Sequence, residues 1–174
     1  MRTFPRHDKT SELALSLVEN FYKAGFDNDI ILNSVNKLLA INNEESYTAL
    51  DLSILDLNNN FVDFIKLGAP VGFVKHKTTT DIVKAGALPI GILAEMQPNI
   101  TKSVLEDGDI IVLVTDGITD AFDSGEKLCN YINNIDSLNP QEIADCILEK
   151  ALELNGGVAL DDMSVLTCRI FSKK

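Results

Sequence analysis

From Tyr47 the period of the apolar residues changes to two, and up to Thr115 short apolar stretches are broken by turn residues. Leu50, Leu52 and Ile54 alternate with Asp51 and Ser53, and Asn58-Asn59-Asn60 interrupts them as a hairpin turn would. A return strand is expected over Phe61–Leu67. Gly68-Ala69-Pro70 then turns the chain into a strand over Val71–Lys75, and another follows over Ile82–Ala85. Ile100–Leu105 and Ile110–Thr115, separated by Glu106-Asp107-Gly108, read as a further hairpin. Strands this short and evenly spaced, joined by turns, call for antiparallel sheets, since a parallel sheet needs long crossover connections between its strands.

Helices flank this middle. Leu13, Leu17, Val18 and Phe21 recur at helical spacing, with Thr10 or Ser11 as cap and Gly25 as stop, so a helix is expected near 11–24 and an irregular segment over 1–9. Asp27 can cap a second helix near 28–40, with Ile30, Ile31, Val35, Leu38 and Leu39 as its apolar set. Asn139-Pro140-Gln141-Glu142 is a strong start for a third, lined by Ile143, Ile147, Ala151 and Leu154 up to Gly156-Gly157. A last strand is expected over Met163–Phe171.

No repeat or interdomain linker interrupts residues 1–174. A chain of 174 residues that is 45% hydrophobic can bury one good core, so one globular domain is expected. Its 26 acidic residues outnumber 15 basic ones, for a net charge of −11. That balance argues against nucleic acid or an anionic membrane surface as partner and suits metal cations or basic partners. Cys129, Cys146 and Cys168 form no C-x-x-C pair and read as core thiols in a reducing compartment. No apolar run approaches the roughly 18 residues of a membrane span, and no signal peptide follows Met1, so a cytoplasmic location is expected.

The apolar run Ile110–Val114 delivers Asp116-Gly117 at its end, with Asp120 nearby, and Asp161-Asp162 precede the last strand. If those two strands are antiparallel neighbours, the four carboxylates could converge at one rim. Oxygen ligands without His or Cys suit Mg²⁺ or Mn²⁺. Gly117 would let backbone approach an ion closely. The plainer reading is that Asp-Gly is a common turn and Asp-Asp a solvated loop. His7 and His76 stand far apart and in no clustered motif with carboxylates or cysteines, and an exposed role is expected of each. Arg2, Arg6 and Arg169 stand in no phosphate-cradling context. Asp51 is expected on the polar face of its strand.

The ordered motifs T-A-L-D-L-S-I-L-D-L (48–57), L-G-A-P-V-G-F (67–73), L-P-I-G-I (88–92), L-E-D-G-D-I-I-V-L-V-T-D-G-I (105–118) and L-D-D-M-S-V-L (160–166), with N-P-Q-E-I-A-D between the last two, resemble the phosphatase domain of the stage II sporulation protein E family. This is a bacterial branch of the PP2C-type metal-dependent serine/threonine phosphatases. The resemblance implies an α+β fold, a PP2C-like sandwich of two antiparallel sheets flanked by helices. It implies Asp116 and Asp161 as Mn²⁺ or Mg²⁺ ligands, Gly117 packed close at the metal, and Asp162 beside the ligands, whereas Asp120 matches no fixed ligand. It implies hydrolysis by a water activated between two divalent ions, without a covalent protein nucleophile. The implied substrate is a phosphorylated small regulatory protein of the anti-sigma-factor-antagonist type, and a homodimer is a candidate assembly.

The family also carries an Asp in an early strand and an Asp-Gly-Met-Gly-type motif before its first matching helix, and this sequence contains neither; Asp8 lacks a following glycine. The expectation is therefore an N-terminally truncated or degenerate domain, whether active or serving as a protein-binding or regulatory module. The haloacid dehalogenase-like phosphatases also place Asp-Gly after a buried strand, but their nucleophile position is occupied here by Val114, which cannot attack phosphorus.

Overall fold

The computed structural model describes residues 7–41, 47–84, 86–93, 95–96 and 100–171. Arg2 and Arg6, and the side chains of His7 and Asp8, lie outside the described set, as does Ala85. The chain divides into two compact, interleaved units: Met1–Leu52, Ile65–Gly68 and Gly86–Ile100 form one; Ser53–Phe64, Ala69–Ala85 and Thr101–Lys174 form the other.

The first unit carries α1 (His7–Lys23) and α2 (Asn28–Ile41), packed on one another. α1 begins earlier than its caps suggested, so residues 7–9 are helical and Thr10 and Ser11 lie inside the helix. A helix interior tolerates Thr and Ser at a cost of only about 0.5 kcal/mol each. Ser11 Oγ instead lies 2.8 Å from Thr48 Oγ1. The stop at Gly25 is as expected: its φ of +82° lets the Gly25 and Phe26 amides donate back to the Tyr22 and Phe21 carbonyls at 3.0 and 3.2 Å.

Among the described residues seven strands follow: β1 (Leu50–Asp56), β2 (Phe61–Leu67), β3 (Gly72–Lys75), β4 (Thr80–Val83), β5 (Ile100–Val104), β6 (Ile110–Val114) and β7 (Val165–Arg169). They form two antiparallel sheets, ordered β1-β2-β5 and β4-β3-β6-β7. The expected β5–β6 hairpin is therefore corrected, because the two strands belong to different sheets. After β5, the Leu105 amide donates to the Asn60 carbonyl at 2.8 Å, and the Glu106–Asp109 turn carries the chain across to the second sheet. The turn residues were legible, but a turn does not dictate which strand its exit pairs with.

In the second unit Val62, Phe64, Val74, Val83, Leu105, Ile111 and Ile170 form one buried cluster. The opposite face of the four-stranded sheet, through Phe73, Ile110, Val112 and Val114, packs on α3 (Asp116–Ala121), α4 (Gly125–Asn133) and α5 (Pro140–Leu154). The alternation along β6 thus serves two layers, and the strand is apolar throughout because both faces are covered. α5 starts as its sequence requires, with Asn139 accepting from the Gln141 amide at 3.0 Å and Pro140 in the first turn. The sequence reading did not foresee α3 and α4. α3 has six residues and opens on an Asp-Gly pair that imitates a turn, while α4 shows only Leu128 and Ile132 as buried residues.

Candidate metal centre

β6 and β7 are antiparallel neighbours in the register Val114↔Val165 and Ile110↔Arg169. The end of one strand therefore meets the start of the other. One residue beyond the ladder, the Thr115 amide donates to the Ser164 carbonyl at 3.1 Å. The Thr115 hydroxyl continues the junction, accepting from the Ser164 amide at 2.9 Å and donating to the Asp162 carbonyl at 2.8 Å. Thr115 is extended, with φ −81° and ψ 163°, and Asp116 opens α3 immediately after it.

Gly117 explains how the two acidic motifs come so close. It is buried, and a Cβ placed there would stand 2.6 Å from the Asp162 carbonyl oxygen and 3.3 Å from Asp161 Cβ. Only a residue without a side chain leaves room for the Asp161–Asp162 backbone. Asp116 and Asp161 are both exposed, and each Oδ1 accepts from the amide of the following residue, at 3.0 Å from Gly117 and 2.8 Å from Asp162. These bonds orient both carboxylates.

Asp162 is exposed, and its carbonyl, rather than its carboxylate, makes the contacts to Thr115 and Gly117. Asp120 is exposed one turn further along α3. The expected convergence of four carboxylates is corrected: among the described residues no three of His, Cys, Asp and Glu group as a metal cluster. What the fold joins is the backbone of the two motifs. Two exposed carboxylates with hard oxygen donors, beside a turn closed by glycine, fit Mg²⁺ or Mn²⁺ as part of an ion's ligand set, because these ions retain several waters and need few protein carboxylates.

Other expectations change. His76 has carboxylate company: Nδ1 lies 3.0 Å from Asp109 Oδ2 and Nε2 lies 3.5 Å from Asp81 Oδ2. Asp109 stands far along the chain, and Asp81 is brought back by the antiparallel β3–β4 pairing. Asp51 does more than line a polar face, since it accepts from the buried Lys66 Nζ at 2.6 Å. Burial pulls the Lys66 ammonium below the ordinary lysine range, while the Asp51 bond opposes that shift. Cys168 is exposed rather than a core thiol, and Arg169 donates to the Leu138 carbonyl at 3.1 Å. Thr115 went unnoticed in the sequence, where a threonine ending an apolar strand reads only as good β-propensity.

The family model for stage II sporulation protein E (SpoIIE) matches residues 9–171. The chain belongs to the SpoIIE family. It is 31% identical over 172 residues to the stage II sporulation protein E of Bacillus subtilis (strain 168), covering 94% of this chain and 20% of that relative. A solved structure of the PP2C phosphatase domain with a fragment of the regulatory domain of SpoIIE from Bacillus subtilis superposes with a TM-score of 0.86 at 30% identity, over 98% of this chain and 52% of that one. A second SpoIIE phosphatase-domain structure, Mn presoaked, gives a TM-score of 0.68 at 26% identity, over 99% of this chain and 78% of that one. The chain thus spans about a fifth of the curated SpoIIE relative and has the fold of a PP2C phosphatase domain. No helix among the described residues is long and apolar enough to cross a membrane.

Proposed function

We propose that this SpoIIE-family chain is a metal-dependent phosphoserine/phosphothreonine protein phosphatase domain in which Asp116 and Asp161 hold Mn²⁺ or Mg²⁺. The observation that carries the reading is the packing of Gly117 against the Asp161–Asp162 peptide, which brings the two acidic motifs together on an exposed rim. A bound pair of such ions would activate water and neutralise charge on the phosphoryl oxygens. The chain's own part is to orient the two carboxylates through the Gly117 and Asp162 amides and to keep the rim open to a phosphorylated side chain. The substrate to which the family resemblance points is a phosphoserine on a small anti-sigma-factor-antagonist protein.

Calorimetric titration with Mn²⁺ tests the site. The expected result is saturable binding that Asp116→Asn and Asp161→Asn each weaken by at least about tenfold, with phosphate release from a phosphoserine protein abolished by chelation. No binding by the folded wild-type chain would overturn the reading and leave a protein-binding or regulatory module as the better account.

A further inference from the structure

Where β6 and β7 part, the ordinary ladder ends at Val114↔Val165, and the main-chain bond from Thr115 to Ser164 adds one rung. The segment running from Gly156 into the Asp161-Asp162 pair is exposed, without regular secondary structure beyond turns and bends. Even with that rung, Asp161 would hang three residues beyond the last paired backbone, Ser164. The Thr115 hydroxyl closes that gap by using both of its capacities, accepting from Ser164 N and donating to Asp162 O. Its bond to Asp162 lands on the carbonyl that crowds Gly117.

We propose that Thr115 is the positioning residue of this site: its hydroxyl clasps the Asp161–Asp162 loop to the Asp116–Gly117 turn, so that the two carboxylates are already set relative to one another before an ion arrives. The inference rests on the metal reading above and adds a residue that contributes no ligand. The alternative role, a β-branched residue that merely suits a strand end, would be met equally well by valine, which keeps the branch and the volume but can neither accept from Ser164 nor donate to Asp162.

Three variants and two readouts decide it. Thr115→Val should weaken Mn²⁺ binding by about tenfold or more, as loss of an outer-shell partner does, whereas Thr115→Ser should bind within about threefold of wild type. In metal-free protein, hydrogen exchange at the Ser164 amide should accelerate in Thr115→Val and stay slow in Thr115→Ser. Thr115→Ala serves as the second hydroxyl deletion should Thr115→Val not fold. Wild-type binding with unchanged affinity in Thr115→Val would overturn the clasp while leaving the metal site intact. If wild type bound no Mn²⁺, the metal reading would fall, and unchanged Ser164 exchange in Thr115→Val would overturn the clasp separately.

Discussion

Both ends of β6 carry an aspartate, and the two have opposite fates. At the start, Asp109 is 2% exposed; its Oδ2 accepts from the Glu106 amide at 2.7 Å and lies 3.0 Å from His76 Nδ1, and its carbonyl accepts from the Ile170 amide at 2.8 Å. At the end, Asp116 is exposed and its bonds stay local: its Oδ1 accepts from the Gly117 amide at 3.0 Å and its carbonyl from the Thr119 hydroxyl at 2.9 Å. In sequence the two settings are nearly interchangeable, for Asp107-Gly108-Asp109 has as good an acid-glycine signature as Asp116-Gly117. A carboxylate taken from water must satisfy its oxygens inside the protein. Asp109 does so with a turn and a histidine and becomes part of the fold, whereas Asp116 keeps capacity for a ligand.

That contrast predicts a separation of stability from metal binding. Asp109→Ala should lower unfolding free energy by about 3 kcal/mol, because the Glu106 amide and His76 both lose a charged partner, and should leave Mn²⁺ affinity unchanged. Denaturant unfolding beside calorimetry measures both. Next, Gly117→Ala should cost about 2 kcal/mol through overpacking and also abolish Mn²⁺ binding, since the new methyl would meet main chain that cannot swing aside. The comparison breaks down if Gly117→Ala binds normally. Asp116→Asn should move stability by no more than about 0.5 kcal/mol while weakening Mn²⁺ binding.

The smallest effect is chemical. Cys129, whose Sγ donates to the Thr80 carbonyl at 3.1 Å near the His76 end of the sheet, has its thiol pushed up, first by burial and then by the Asp81 and Glu126 carboxylates. Exposed Cys168 on β7 should therefore react faster with a thiol reagent, as mass spectrometry of labelled peptides can follow. Equal rates at the two cysteines would mean that the His76 end opens far more readily than its packing indicates.

Much of the fold was legible because its causes are local. Phe61–Leu67 appears as a strand with the expected bounds, and α5 starts behind Asn139 as its cap and proline require. Asp116, Gly117 and Asp161 were likewise singled out by motif, whereas the antiparallel pairing of β6 and β7 stood in the sequence only as a condition that the fold meets. Periodicity, caps and turn residues act within a few positions, and a sequence displays them directly.

Only tertiary structure decided which sheet received β5 and which β6, that Asp109 and not Asp116 would be buried, and that His76 would find two carboxylates. Strand partners are chosen by how both faces of a sheet can be covered, and a carboxylate's role depends on groups far along the chain. The Thr115 bonds to Asp162 and Ser164 span nearly fifty residues, and no local pattern records a contact of that range.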